Sequence, residues 1–64
     1  TLGEYILQKR LALAKQLLLN TNLSILDISE RVGITDASYF IRTFKKQIGV
    51  TPQQYRESGE ESRQ

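Results

Sequence analysis

The residues best suited to chemistry lie between Thr35 and Lys46. Arg42 carries a planar guanidinium whose paired N–H groups match the O6 and N7 acceptors of guanine, a contact that can identify a base. Lys45 and Lys46 follow about one helical turn later. They suit phosphate oxygens, which position a nucleic acid without specifying its sequence. A blander reading is a solvated pair at the negative end of a helix. Ile41 offers methyl groups to a thymine methyl, or packs half-buried. Tyr39 offers a hydroxyl at the tip of a ring that can pack on the domain. Thr35, and Ser24 with the backbone amides beside it, are phosphate candidates because helix N-termini attract anions.

Catalysis finds no comparable set. The 64 residues contain no His and no Cys, which excludes disulfides and the usual zinc and thiolate sites. There is no Gly-rich phosphate loop. Asp27 and Glu30 read as capping and surface charge, and no nucleophile–base pair is evident. The expectation is a protein that is not an enzyme and needs no cofactor or metal. The absence of Cys fits a reducing compartment. No apolar run reaches the roughly 20 residues needed to span a bilayer, so no membrane partner is expected.

To face a ligand, these side chains need a helix that is apolar on its other side. At 100° per residue, Ala37, Phe40, Phe44 and Ile48 form one stripe, while Ser38, Tyr39, Arg42, Lys45 and Lys46 spread over the opposite side. Ile41 lies on the flank, and Ala37 also stands at the start of the polar surface. Thr35 or Asp36 can cap this helix, and Gly49 ends it. The charge follows the same division. Asp36, Arg42, Lys45 and Lys46 give the helix +2, the first 34 residues carry +1, and the segment after Gly49 carries −1, within a chain of net charge +2 and pI near 9.2.

Upstream, Ser24 is an N-cap for a short helix from about Ile25 to Val32, with Asp27 at the positive helix end. Ile25, Ile28, Ser29 and Val32 define one face. Ser29 is small where its neighbours are large, which lets another helix cross closely. Gly33 supplies the φ > 0 of a C-terminal cap, and Ile34 follows as an apolar anchor. Thr1 to Leu19 reads as a long helix opened by a Thr1–Glu4 capping box. Leu7, Leu11, Ala14 and Leu18 form its stripe, broadened by Ile6, Leu13 and Leu17. That breadth suits core packing, or contact with a further domain. Asn20, Thr21 and Asn22 end the helix by offering side-chain bonds to its backbone. Downstream, Thr51 and Pro52 signal a helix start. A short helix to about Arg56 is expected, with Tyr55 turned to the core. Ser58 to Gln64 is expected to be frayed or disordered. Arg31 and Arg56 are expected in local ion pairs with Asp27 or Glu30, each contributing little if exposed.

From Ile25 to Arg56 the chain resembles the second helix-turn-helix of the AraC/XylS family of bacterial transcription regulators. The residues that carry the likeness are I-L-D-I-S-E-R-V-G-I, then S-Y-F-I-R-T-F-K-K, then G-V-T-P-Q-Q-Y-R. The preceding R-L-A-L-A-K-Q-L-L-L-N-T-N is similar to the long helix that joins that family's two helix-turn-helix halves. The resemblance implies an all-α, homeodomain-like helix-turn-helix with a long N-terminal linker helix and a short C-terminal helix. Residues 1–22 would be the linker helix and turn, 23–57 the helix-turn-helix with its closing helix, and 58–64 a tail. It implies sequence-specific binding to double-stranded DNA in transcription regulation in the cytoplasm, with the helix at about 36–48 in the major groove. It places Ser38, Tyr39, Ile41 and Arg42 on the base-facing side, with Ala37 at its start. It also implies a first helix-turn-helix half, missing from this sequence, and a separate effector or signalling domain. A different reading is a protein-interaction module that docks through the apolar face of the first helix.

Overall fold

Each helix begins at a side chain that accepts hydrogen bonds from its first turn, so the boundaries follow from short polar residues in the sequence. The computed structural model describes the backbone of residues 1–62 and the side chains of residues 1–59. Four helices run in order: α1 Leu2–Asn20, α2 Ile25–Arg31, α3 Ala37–Ile48 and α4 Pro52–Ser62.

Thr1 and Glu4 form the expected capping box: the Glu4 amide donates to Thr1 Oγ1 at 3.2 Å, and the Thr1 amino group donates to Glu4 Oε2 at 3.1 Å. The Asp27 amide donates to Ser24 Oγ at 3.0 Å to open α2. Asp36, rather than Thr35, caps α3, accepting from the amides of Ser38 at 3.0 Å and Tyr39 at 3.2 Å. Thr51 opens α4 reciprocally with Gln54, at 3.0 and 3.1 Å, and Pro52 takes the first helical position, where its missing N–H costs nothing.

The helix ends obey the same local chemistry. At the end of α1 the Thr21 hydroxyl donates to the Leu17 carbonyl at 2.6 Å. Gly33 at φ +87° turns the chain out of α2 after Val32. Gly49 at φ +100° ends α3, its amide donating to Lys45 O at 2.8 Å.

The core is where the four apolar faces meet. Phe40 and Phe44 of α3 are fully buried, as are Ala14 of α1 and Ile28 of α2. Leu11, Leu18, Val32 and Ile34 complete it, with Leu7, Leu17, Leu23, Ile25, Ile48 and Tyr55 packed around. The Phe44 ring lies between Phe40, at 5.9 Å between centroids, and Tyr55, edge-on at 5.7 Å. Each geometry is a favourable aromatic contact. Tyr55 is therefore turned inward as its position at the end of the first α4 turn implies. α1 lies against α2 and α4, α2 against α3, and α3 against α4.

Three expectations need correction. Ile6 and Leu13 do not broaden the core stripe: each is 43% exposed, and Ile6 lines a shallow groove beside Gly33, Ile34 and Tyr39. A single short helical domain has no second layer to cover them. α4 does not stop near Arg56 but continues to Ser62, so residues 58–62 are helical where a frayed tail is expected, and residues 63 and 64 lie outside the described residues. The reason is packing. Gly59 has no Cβ, and one built there would overlap Leu19 Cδ2, so the glycine that reads as a tail signal instead lets α4 lie close against α1. Gln53 also braces Glu57 at 3.1 Å along the helix. Finally, Arg56 forms no ion pair with Asp27 or Glu30. Its Nε donates to Leu18 O at 3.0 Å and its Nη2 to Thr21 O at 3.4 Å, which satisfies carbonyls that the end of α1 leaves without helical partners. Among the described residues Arg31 likewise pairs with neither acid.

Candidate nucleic-acid interface

α3 owes its position to its two phenylalanines. With Phe40 and Phe44 wholly inside, the helix cannot roll about its axis without exposing both rings. At 100° per residue, Arg42 projects about 180° from the midpoint between them. The most deeply anchored side of α3 therefore fixes Arg42 at the centre of the outward side. Ser38 and Lys46 lie one turn before and after Arg42, and Lys45 beside it; all three are exposed, as is Arg42. Tyr39, 46% exposed, and Ile41, 38% exposed, form the two flanks. Ala37 is half-buried at the start. The structure thus gathers six of the expected residues, Ser38, Tyr39, Ile41, Arg42, Lys45 and Lys46, onto one convex strip, with Ala37 at its margin.

Thr35 is exposed just before the α3 cap, on a shallow groove shared with Ile6, Arg10 and Tyr39. Ser24 stands apart from the strip, at the start of α2, beside a groove that also takes in Arg31 and Leu17. Its hydroxyl oxygen accepts from the Asp27 amide, which leaves its proton free to donate. The Asp36 carboxylate occupies the Ser38 and Tyr39 amides. Any anion contact at the start of α3 must therefore use side chains rather than those two backbone donors.

The turn that carries α3 is tied on both sides. On the α2 side, the Ile34 amide donates to Ser29 O at 2.9 Å, and the buried Ser29 hydroxyl donates to Ile34 O. On the α1 side, Arg10 Nη1 donates to Val32 O at 2.8 Å across 22 residues of sequence. The sequence pattern finds Ser29 as a small residue at a helix crossing, but not the hydroxyl bond. Arg10 and the true role of Arg56 escape it altogether. Both arginines serve backbone carbonyls, which leave no trace in side-chain spacing.

The arrangement is an exposed strip: one guanidinium at the centre, two ammonium groups beyond, and Tyr39 and Ile41 on its flanks. Residues 1–58 match the family model described as a helix-turn-helix domain. The bifunctional transcriptional activator and DNA repair enzyme AdaA of Bacillus subtilis is 51% identical over 57 residues, which is 89% of this chain and 27% of that protein. The melibiose operon regulatory protein of Escherichia coli is 41% identical over 64 residues, all of this chain and 21% of that protein. The chain belongs to the AraC-type helix-turn-helix family. Its fold agrees with the crystal structure of the C-terminal domain of the two-component response regulator yesN from Fusobacterium nucleatum, with a TM-score of 0.83 and 52% identity, covering 84% of this chain and 52% of that one. As an AraC-type helix-turn-helix it is a DNA-binding domain of transcription regulators. The chain spans about a quarter of the length of AdaA and a fifth of the melibiose regulator.

Proposed function

We propose that this domain reads a DNA sequence by laying α3 in the major groove, with Arg42 as the principal base reader. The observation that supports this most is the placement of Arg42 opposite the buried Phe40–Phe44 spine. A groove about 12 Å wide accepts one helix, and the side chains that reach furthest into it are those opposite the helix's own anchor. Arg42 pairs bidentately with a guanine. Ser38 and Tyr39 offer hydroxyls to neighbouring base edges, and Ile41 and Ala37 offer methyl surface to a thymine. Lys45, Lys46, Thr35 and Ser24 hold phosphates on either side. The helix-turn-helix domain is not itself catalytic.

In the full-length protein, this domain works beside a second helix-turn-helix and an effector or signalling domain in the bacterial cytoplasm. Two observations support a further half: the small share of its relatives that this chain covers, and the face of α1 where Leu2 and Leu13 stand exposed. Docking of that half through α1 is compatible with DNA reading by α3, because the two faces belong to different helices.

The test is selection of binding sites from random duplexes with the full-length protein, followed by Arg42→Ala. The substitution should weaken binding to the selected site by about 1–3 kcal/mol and binding to random duplex by less. An equal loss on all sequences refutes base reading by Arg42.

A further inference from the structure

Arg10 lies on α1, whose helix makes no part of the reading strip, yet it touches the turn that launches α3. We propose that Arg10 is a positioning residue for DNA reading: by holding the Val32 carbonyl and covering Gly33, it sets the angle at which α3 leaves the domain. The inference rests on the reading given above, in which α3 enters the groove.

Val32 ends α2, and a carbonyl there has no helical donor left to it. Arg10 Nη1 supplies one at 2.8 Å. The bond is charge-assisted, and the cation sits at the negative end of α2. Gly33 follows at φ +87°, and a Cβ there would overlap Nη1 and lie 2.9 Å from Cζ. The guanidinium thus rests directly on the turn. Its base is equally firm, because the next residue, Leu11, is buried in the core and Ala14 one turn on is fully buried. Arg10 is therefore a strut from the core side of α1 to the outside of the turn. The Ser29–Ile34 bonds hold the inside. From Ile34, only Thr35, the Asp36 cap and Ala37 separate the turn from Ser38 and Tyr39.

Leverage makes the angle matter. Arg42 lies six residues past Asp36, about 9 Å along the axis, so a tilt of about 10° at the turn moves it by about 1.6 Å. A bidentate contact tolerates about 0.5 Å. Non-specific phosphate contact is far more forgiving, because long lysines adjust to a charged surface. Loss of the strut should therefore lower specificity rather than overall DNA affinity.

The experiment uses the full-length protein as wild type, Arg10→Met, Arg10→Lys and Arg42→Ala. Affinity is measured for the selected site and for random duplex, at a temperature where denaturation curves place every variant in the folded state. Hydrogen exchange of the amides from Gly33 to Arg42 is followed in parallel. Arg10→Met should lower the ratio of specific to random affinity by about tenfold, the order of one weakened bidentate contact. Random-duplex binding should stay within about twofold, and the amides of the turn should exchange faster. Arg10→Lys, which keeps one charged donor, should recover much of the ratio. Equal losses on both duplexes would show a phosphate contact or a general loss of fold and overturn the proposal, as would an unchanged ratio. If Arg42→Ala lowers the ratio and Arg10→Met does not, the Arg10 assignment alone fails. If neither does, base reading by α3 fails, and the assignment with it.

Discussion

Arg56→Ala separates two physical accounts of the same residue. As a surface ion pair with Asp27 or Glu30, Arg56 would contribute up to about 1 kcal/mol, and salt would remove it. In the structure it is half-buried, with Nε on Leu18 O at 3.0 Å and Nη2 on Thr21 O at 3.4 Å. The first is a good bond between a charged donor and a carbonyl, a class that contributes about 1.5–3 kcal/mol. The second is long and adds little. The carbonyls lie at the end of α1, so truncation also leaves partly buried acceptors to find water. The expected loss is about 2 kcal/mol. Against the roughly 3–10 kcal/mol of total stability usual for a chain of this length, that is a substantial fraction. At about 4–8 °C per kcal/mol it should lower the melting temperature by about 8–16 °C. Urea denaturation followed by far-UV circular dichroism measures it, at low salt and again at 1 M sodium chloride, with ~1 M salt reducing the screening length to about 3 Å. Arg56→Lys should fall between, keeping the stem and one charged donor but not the fork. A loss under about 0.5 kcal/mol, or one that vanishes in high salt, refutes carbonyl capping and restores the surface pair.

Other perturbations test neighbouring links. Gly33→Ala and Gly49→Ala both force a side chain into positive φ, at about 1–2 kcal/mol each. Gly49 has open space around it whereas Gly33 sits under Arg10, so Gly33→Ala should cost about 1.5 kcal/mol more in denaturation experiments, the value of one displaced charged bond. Ser29→Ala leaves the Ile34 carbonyl without its hydroxyl donor in a fully buried site; a loss of about 1–3 kcal/mol is expected by the same measurement. Lys46→Ala should weaken specific and random DNA binding alike and reduce the salt slope by about one, measured by titration over a range of salt concentrations.

How much of this was legible in the sequence depends on which atoms do the work. Caps and breaks are local: Thr1 with Glu4, Ser24 with Asp27, Gly33, Gly49 and Thr51–Pro52 each announce a boundary, and the structure uses all of them. The α3 stripe is equally plain because Phe40 and Phe44 are large and four residues apart. On α1, Leu, Ile and Ala recur on several sides of the helix, so spacing alone does not divide core from surface. Leu11, Ala14 and Leu18 go in while Ile6 and Leu13 stay out, because only the packed partner decides. The end of α4 was hidden for a related reason. Ser58 and Gly59 have weak helix propensity, and the close approach of Gly59 to Leu19 is a tertiary contact that the local sequence does not announce. The arginines were the least legible. A guanidinium aimed at a carbonyl 22 or 38 residues away leaves no periodic signal.

Those two arginines also bear on why so small a domain can discriminate between sequences. Three cations on α3 release few counterions, so their electrostatic attraction is modest and nearly the same for every sequence. In the reading proposed above, discrimination comes from Arg42 and its flanking side chains meeting base edges, and each such contact is worth most if α3 need not be ordered on arrival. A helix that becomes ordered on binding loses part of its contact energy to that ordering. Here the ordering is complete beforehand. Asp36 and Gly49 close the two ends of α3, Phe40 and Phe44 fix its rotation, and Ser29 and Arg10 hold the turn before it. Arg56 joins α4 to the end of α1, so the frame that Arg10 pushes against is itself closed. On the proposed reading, the parts of the chain that never approach a base govern specificity through the stiffness they give α3, while the lysines govern affinity through charge. Substitutions in the two groups should accordingly separate in assays that measure both.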